Sequence, residues 1–179
     1  MKLLARVLAL LQSANVPHAL IGAGAMAVHA VSRATLDLDL LVADRSLLDP
    51  QRWGELSGGN VLVEVRRGDS EDPLAGVVRI RETGERSVDV IVGRDAWQDG
   101  IIRRAERLTV GELVIPVVRT ADLIVLKLFA GGSQDAWDIE ELLSAADRKA
   151  VASEVEERLR ELPPDCAALW RRIQEGRRR

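Results

Sequence analysis

Ile21-Gly22-Ala23-Gly24-Ala25-Met26-Ala27, running on to Leu36-Asp37-Leu38-Asp39-Leu40-Leu41-Val42, is the stretch that decides how this chain is built. The second segment alternates apolar and acidic residues. Successive strand side chains point to opposite faces, so Asp37 and Asp39 share one face while Leu36, Leu38 and Leu40 take the other. Two neighbouring carboxylates repel, and a cation or open solvent must compensate. Hard oxygen ligands at this spacing suit Mg²⁺, which keeps several waters and binds through a few carboxylates plus substrate phosphates. The pattern returns at Ser87-Val88-Asp89-Val90-Ile91-Val92, where Asp89 is the lone charge of an apolar strand. Strand pairing would bring it beside Asp37 and Asp39.

Upstream, the glycine turn opens a small-residue helix. A helix N-terminus offers backbone N–H groups and a positive dipole end to a phosphate. Carboxylates for a metal beside donors for a phosphate make a site for phosphoryl or nucleotidyl transfer. Two other readings stay open. An isolated Asp-x-Asp is commonly a solvated strand face. Gly22-Ala23-Gly24-Ala25-Met26-Ala27 also fits the dinucleotide pattern Gly-x-Gly-x-x-Gly/Ala, which would make this an NAD(P)-binding protein. In that fold a long helix follows and the acid closes the second strand. Here the helix is short and both acids open their strand.

Working outward, Leu4, Val7, Leu8 and Leu11 recur at helix spacing and predict a first helix over residues 2–14. Strands are expected at 18–21, 36–42, 61–65, 77–80, 87–92 and 113–118. Helices are expected at 23–31, from the N-cap Ser46 to Leu56, and at 95–104, 120–130, 134–145, 147–161 and 166–175. Pro163-Pro164 separates the last two. The fold class is therefore α/β (α+β): a mixed, twisted sheet flanked by helices over residues 1–118, then a helical part over 119–179.

Composition narrows the classes. With 179 residues, 47% of them hydrophobic and 30% charged, the chain is an ordinary globular one, which excludes disordered and collagen-like readings. A single cysteine, Cys166, allows no internal disulfide and points to a reducing, cytoplasmic setting. A net charge of −3 and a pI near 5.5 argue against a surface that traps nucleic acid. Aromatics at 3%, with no Tyr, leave no stacking platform for single-stranded bases. Met1-Lys2 followed by Leu3–Leu11 imitates a secretory leader, but Arg6 interrupts it. No run reaches the roughly 18 apolar residues of a membrane span, so no membrane partner is expected.

These residues resemble the nucleotidyltransferase superfamily, the DNA polymerase β-like fold. The branch they look most like is the minimal, toxin-type bacterial enzymes of abortive-infection and toxin–antitoxin loci. The pattern there is a hydrophobic residue, Gly-Gly, a small-residue helix and Arg-x-Thr-x-Asp-x-Asp. This chain has Ile21-Gly22-Ala23-Gly24-Ala25, then Arg33-Ala34-Thr35-Leu36-Asp37-Leu38-Asp39, with Val88-Asp89-Val90 at the third acid. Leu126-Lys127-Leu128-Phe129-Ala130 and Asp135-Ala136-Trp137-Asp138-Ile139 are similar to the lysine helix and the Asp-x-x-Asp helix after it. The resemblance spans residues 15–145.

It implies Mg²⁺- or Mn²⁺-dependent transfer of a nucleoside monophosphate from an NTP to an acceptor hydroxyl on RNA (a tRNA among them), a protein or a small alcohol. An antitoxin protein is a further implied partner. By the same resemblance Asp37, Asp39 and Asp89 form the catalytic and metal-binding acids, with Asp89 orienting or deprotonating the acceptor. Gly22, Ala23, Gly24, Arg33, Thr35 and Lys127 meet the nucleotide, and Asp135 is an accessory residue. Two departures stand out: Ala23 replaces the second glycine with no Ser or Thr after Gly22, and Gly131-Gly132-Ser133 stands where relatives often have an arginine. A catalytically weak relative, acting as a nucleotide-binding or protein-interaction module, is the alternative they raise.

Other residues read as structural. His18 and His29 have no second histidine at ligand spacing and suit packing. Asp135 and Asp138 sit one helical turn apart, as on a solvated helix face. Trp53, Trp97, Trp137 and Trp170 are scattered, as packing residues are. Arg171-Arg172 and Arg177-Arg178-Arg179 suit a helix C-terminus, or an RNA acceptor.

Overall fold

The computed structural model describes residues 1–31 and 37–176. These fall into two compact units, one of residues 1–24 and 37–118, the other of residues 25–31 and 119–176. Arg33, Thr35, Leu36 and the terminal Arg177-Arg178-Arg179, all singled out above, lie outside the described residues. The short helix α2 (Gly22–Val28) runs from the first unit into the second.

The first unit is built on a sheet of β1 (His18–Ile21), β2 (Asp37–Val42), β3 (Val61–Arg67), β4 (Gly76–Glu82), β5 (Ser87–Val92), β6 (Glu106–Val110) and β7 (Leu113–Val117). The strand order is β3-β4-β5-β2-β1-β7-β6. β2 runs parallel to β5 and β1 parallel to β7, while the remaining neighbours are antiparallel. Alternation decides the faces. Leu38, Leu40, Val42, Val78, Ile80, Val88, Val90 and Val92 all turn inward and are buried. Each buried side chain of this size is worth about 1.5–3 kcal/mol relative to an exposed one.

α1 (Lys2–Ser13) touches β5 and buries Leu3, Leu4, Val7, Leu8 and Leu11, the stripe its spacing predicts. α3 (Ala96–Arg104) packs against β2 and buries Trp97, Ile101 and Ile102. Its capping box pairs Asp95 with Gln98.

In the second unit α4 (Thr120–Ala130) is the central helix, in contact with α5 (Asp135–Ala145), α6 (Arg148–Arg158) and α7 (Pro164–Gly176). Gly131 ends α4 in the left-handed conformation, at φ 61°, and returns its N–H to the Lys127 carbonyl. No helix among the described residues is long and apolar enough to cross a membrane.

Several expectations need correction. The helix expected from Ser46 to Leu56 is two 3-10 turns, Arg45–Leu48 and Pro50–Trp53. Pro50 has no N–H to continue the first turn, and the caps are Asp44 and Asp49, which accept from the Ser46 and Gln51 N–H groups. Strand β6 was not foreseen: Glu106-Arg107-Leu108-Thr109-Val110 is mostly polar and gains its place by pairing with β7 across Gly111. The dinucleotide alternative fails because β1 and β2 are antiparallel, whereas its βαβ unit requires parallel strands.

Candidate active site

β2 places Asp37 and Asp39 half-buried on the sheet face opposite Leu38 and Leu40. Register brings the third acid to them. The parallel pairing of β2 with β5 sets Asp39 directly against Asp89 and Asp37 against Ser87, so the three carboxylates share one face on adjacent strands. The Ser87 hydroxyl donates to Asp37 Oδ1. Asp89 is buried, at 5% exposure.

Gly22 lies against this cluster. Its φ is +60°, and a Cβ built there would overlap the Asp39 carboxylate. Only glycine meets both conditions without strain. Gly24 has a different reason to be small: a Cβ would press on Leu20 and Leu38 at 3.2 and 3.4 Å. It serves close packing of α2 against the strands. Ala23 between them is half-buried.

One residue that the sequence reading passed over enters the site. Arg79 on β4 stands opposite Asp89 in the antiparallel register. Its Nε donates to Asp89 Oδ1 at 2.9 Å and to Oδ2 at 3.2 Å, and its Nη2 donates to Oδ2 at 2.5 Å. The hydrogen bonds to Asp89, and then its charge, push the Arg79 pKa further up, with Asp37 and Glu64 adding to the same effect. The signal was there in Val77-Val78-Arg79-Ile80-Arg81, whose alternation puts Arg79 and Arg81 on one face. What the sequence does not show is which strand β4 pairs with.

For a divalent ion, the donor set matters. Among the described residues no three or more His, Cys, Asp or Glu side chains form a metal-holding group. Both oxygens of Asp89 face Arg79. The Asp37–Asp39 pair beside the Cβ-free surface of Gly22 still fits Mg²⁺, which needs only one or two carboxylates when substrate phosphates complete its shell.

The second unit holds the other expected residues. Lys127 on α4 is buried, with its Nζ 2.5 Å from Asp138 Oδ2 and 3.1 Å from Asp135 Oδ1. Asp135 Oδ2 also accepts the Gly132 N–H at 2.7 Å, tying down the α4–α5 turn. The solvated face expected for Asp135 and Asp138 is therefore corrected: Asp138 is fully buried, because it compensates a buried ammonium. A second ion pair, buried Asp122 with half-buried Arg158 at 2.9 Å, was not anticipated. Nothing in the helical spacing distinguishes it from surface charge.

His18 and three of the four tryptophans behave as packing, and the expectation fails for Trp137. His18 is buried and its Nδ1 bonds to the Val16 carbonyl at 2.9 Å. Trp53, Trp97 and Trp170 are buried, while Trp137 is 57% exposed.

No protein-family model matches the chain, and no curated protein matches it in sequence. Solved structures do match in fold. The solution structure of the antibiotic-resistance factor ANT(2'')-Ia superposes with a TM-score of 0.59 at 12% identity, over 87% of this chain and 89% of that one. The crystal structure of ANT(2'')-Ia in complex with adenylyl-2''-tobramycin gives 0.58 at 14% identity, over 89% and 97%. The lincosamide antibiotic adenylyltransferase LnuA, in a lincomycin-bound crystal structure, gives 0.50 at 13%, over 81% and 97%. The mixed sheet with its flanking helices is thus the fold of these nucleotidyltransferases.

Proposed function

We propose that this protein is a nucleotidyltransferase that moves a nucleoside monophosphate from an NTP to an acceptor hydroxyl. The acceptor oxygen forms a bond to the α-phosphorus, the bond from that phosphorus to the bridging oxygen breaks, and pyrophosphate and the hydroxyl proton leave. The observation that carries this reading is the register of Asp39 against Asp89, with Gly22 abutting the Asp39 carboxylate, on a fold shared with adenylyltransferases. Asp37 and Asp39 would hold Mg²⁺ or Mn²⁺. The bound metal would align the α-phosphate and offset the charge that develops on it.

Gly22 keeps the approach to the two acids open, and Asp89 receives the acceptor hydroxyl. Lys127 joins the nucleotide-binding set of this reading on the sequence pattern; in the structure its ammonium is paired with Asp135 and Asp138. Arg33 and Thr35 join the nucleotide-binding set on the sequence pattern alone. Small hydroxyl-bearing antibiotics are the favoured acceptor class, because the similar folds belong to enzymes named for them. A toxin acting beside an antitoxin in the cytoplasm is the finer alternative suggested by Arg33-x-Thr35-x-Asp37-x-Asp39.

The test is label transfer from each α-labelled NTP with Mg²⁺ or Mn²⁺ to aminoglycosides and lincosamides, to tRNA and to total protein. Asp37→Ala and Asp39→Ala are each expected to lose at least about 100-fold, equal to about 2.7 kcal/mol of transition-state stabilisation. Label on a small alcohol supports the antibiotic class, whereas label on tRNA or protein supports the toxin branch. Equal transfer with both acids replaced sinks the proposal. A wild type that binds NTP but labels no acceptor favours a nucleotide-binding relative without transfer activity.

A further inference from the structure

We propose that the acceptor of this site is a small alcohol carrying a phosphate or carboxylate, and that Arg66 and Arg67 hold this anion while the hydroxyl lies at Asp89; this rests on the nucleotidyl-transfer reading above. Register lays out the path. One row crosses four strands as Glu64 on β3, Arg79 on β4, Asp89 on β5 and Asp39 on β2, so these residues share the face of the acids. A neighbouring row on that face sets Arg66 against Val77 and Val77 against Ile91. The glycine turn follows β1, on the far side of β2, so a nucleotide held there leaves β4 and β3 to the acceptor.

That part of the face is basic. Arg79 forks Asp89 and Arg81 pairs with Glu64, while Arg66 is exposed and has no acid partner among the described residues. Arg66 lines a pocket of about 420 Å³ together with Arg67, Asp72, Leu74 and Val77. Arg67 is fixed by donating from Nη2 to the Leu48 carbonyl at 2.7 Å, which leaves it further N–H groups for a ligand. Asp72, the acid on the wall, is turned to its own loop, where its Oδ2 accepts the Asp69 N–H at 2.8 Å. Arg94 pins that loop by donating to the Ser70 and Leu74 carbonyls at 3.0 and 3.2 Å. The wall is preformed, and two guanidiniums against one carboxylate select an anion. Arg66 stands two strands and two residues from Asp89, about 12 Å between Cα atoms at about 4.8 Å per strand and about 3.3 Å per residue. The two side chains take up part of that span, and a phosphorylated or carboxylated alcohol of a few carbons fits the remainder. A polycationic aminoglycoside would lie against Arg66, Arg79 and Arg81, so the small-alcohol class narrows to its anionic members.

Titrating the full chain with inorganic phosphate, by calorimetry, tests the pocket, with circular dichroism as the folding check. EDTA is present, because without a metal the acids repel phosphate from the glycine turn. Arg66→Gln is expected to weaken phosphate at least about fivefold and Arg66→Gln/Arg67→Gln to abolish binding. Arg52→Gln, at an exposed arginine of the turn Pro50–Trp53, changes it by less than about twofold. Arg66 has no acid partner to lose, so its variant supplies the readout if Arg67→Gln, which gives up its bond to Leu48, does not fold. Labelled NTP and Mg²⁺ are then offered sugar and polyol phosphates, hydroxy acids, and aminoglycosides as separate pools. Label on either anionic pool supports the proposal when Arg66→Gln raises the acceptor KM at least about tenfold and leaves the NTP KM within about twofold. The labelled pool tells phosphate from carboxylate. Phosphate binding or an acceptor KM that ignores Arg66→Gln, or label carried by aminoglycosides, tRNA or protein instead, overturns the anionic acceptor and leaves nucleotidyl transfer standing. No label on any acceptor, with phosphate still bound through Arg66, overturns the transfer reading and the acceptor with it, leaving only the anion pocket.

Discussion

Gly22 shows most clearly how one residue joins backbone geometry to chemistry. At φ +60° any other residue pays about 1–2 kcal/mol, and a Cβ there also displaces the Asp39 carboxylate. Gly22→Ala should therefore lower both stability in urea and Mn²⁺ affinity. Gly59→Ala is the control, since Gly59 has φ +61° but open space around its missing Cβ. It should lose comparable stability and leave Mn²⁺ binding unchanged; equal metal loss in both variants would show that Gly22 matters only for folding. The acids themselves were legible in the sequence because strand alternation is a local property. Arg79 was not, since its partner is fixed by the register between β4 and β5, ten residues apart in a hairpin whose pairing the local pattern leaves open.

At the scale of elements, the strongly periodic segments were readable and the short or polar ones were not. α1 follows from its leucine spacing, whereas the 3-10 turns at Arg45–Leu48 and Pro50–Trp53 follow from two aspartate caps competing with a helix. The α4–α5 pair carries a charge cluster that periodicity misreads as surface. Lys127→Met would leave Asp138 buried without its ammonium and is expected to cost about 3–5 kcal/mol in urea unfolding. Lys127→Met/Asp138→Leu should recover a large part of that loss; no recovery would mean that the cluster does more than neutralise itself. In α7, burial pushes the Cys166 thiol up, with the Asp165 charge adding to it. The folded chain therefore holds less thiolate than the unfolded one at pH 8, and disulfide reagents should react faster once urea is added. Equal rates in native and unfolded protein would contradict that burial.

For the whole molecule, the strand order was beyond the sequence because β2 pairs with β5 across the entire β3–β4 hairpin, and only tertiary packing chooses that partner. Composition did bound the chemistry at this scale, since a net charge of −3 requires any polyanionic substrate to be met locally by a cation rather than by the general field of the surface. The three acids make that demand sharper. A triphosphate approaching Asp37, Asp39 and Asp89 meets like charge, so nucleotide binding should depend on Mg²⁺. Ligand bound only to the folded state stabilises it by about 2.7 kcal/mol at a hundred times its Kd. A chain of this length shifts by about 2–4 °C for each kcal/mol, which gives a rise in Tm of about 5–10 °C. Mg²⁺ with ATP should produce that rise, while ATP with EDTA should not. Asp39→Asn should abolish the response by removing half of the proposed metal pair. A rise of the same size in Asp39→Asn would mean that nucleotide binds away from these acids, and the site would have to be sought elsewhere on the chain.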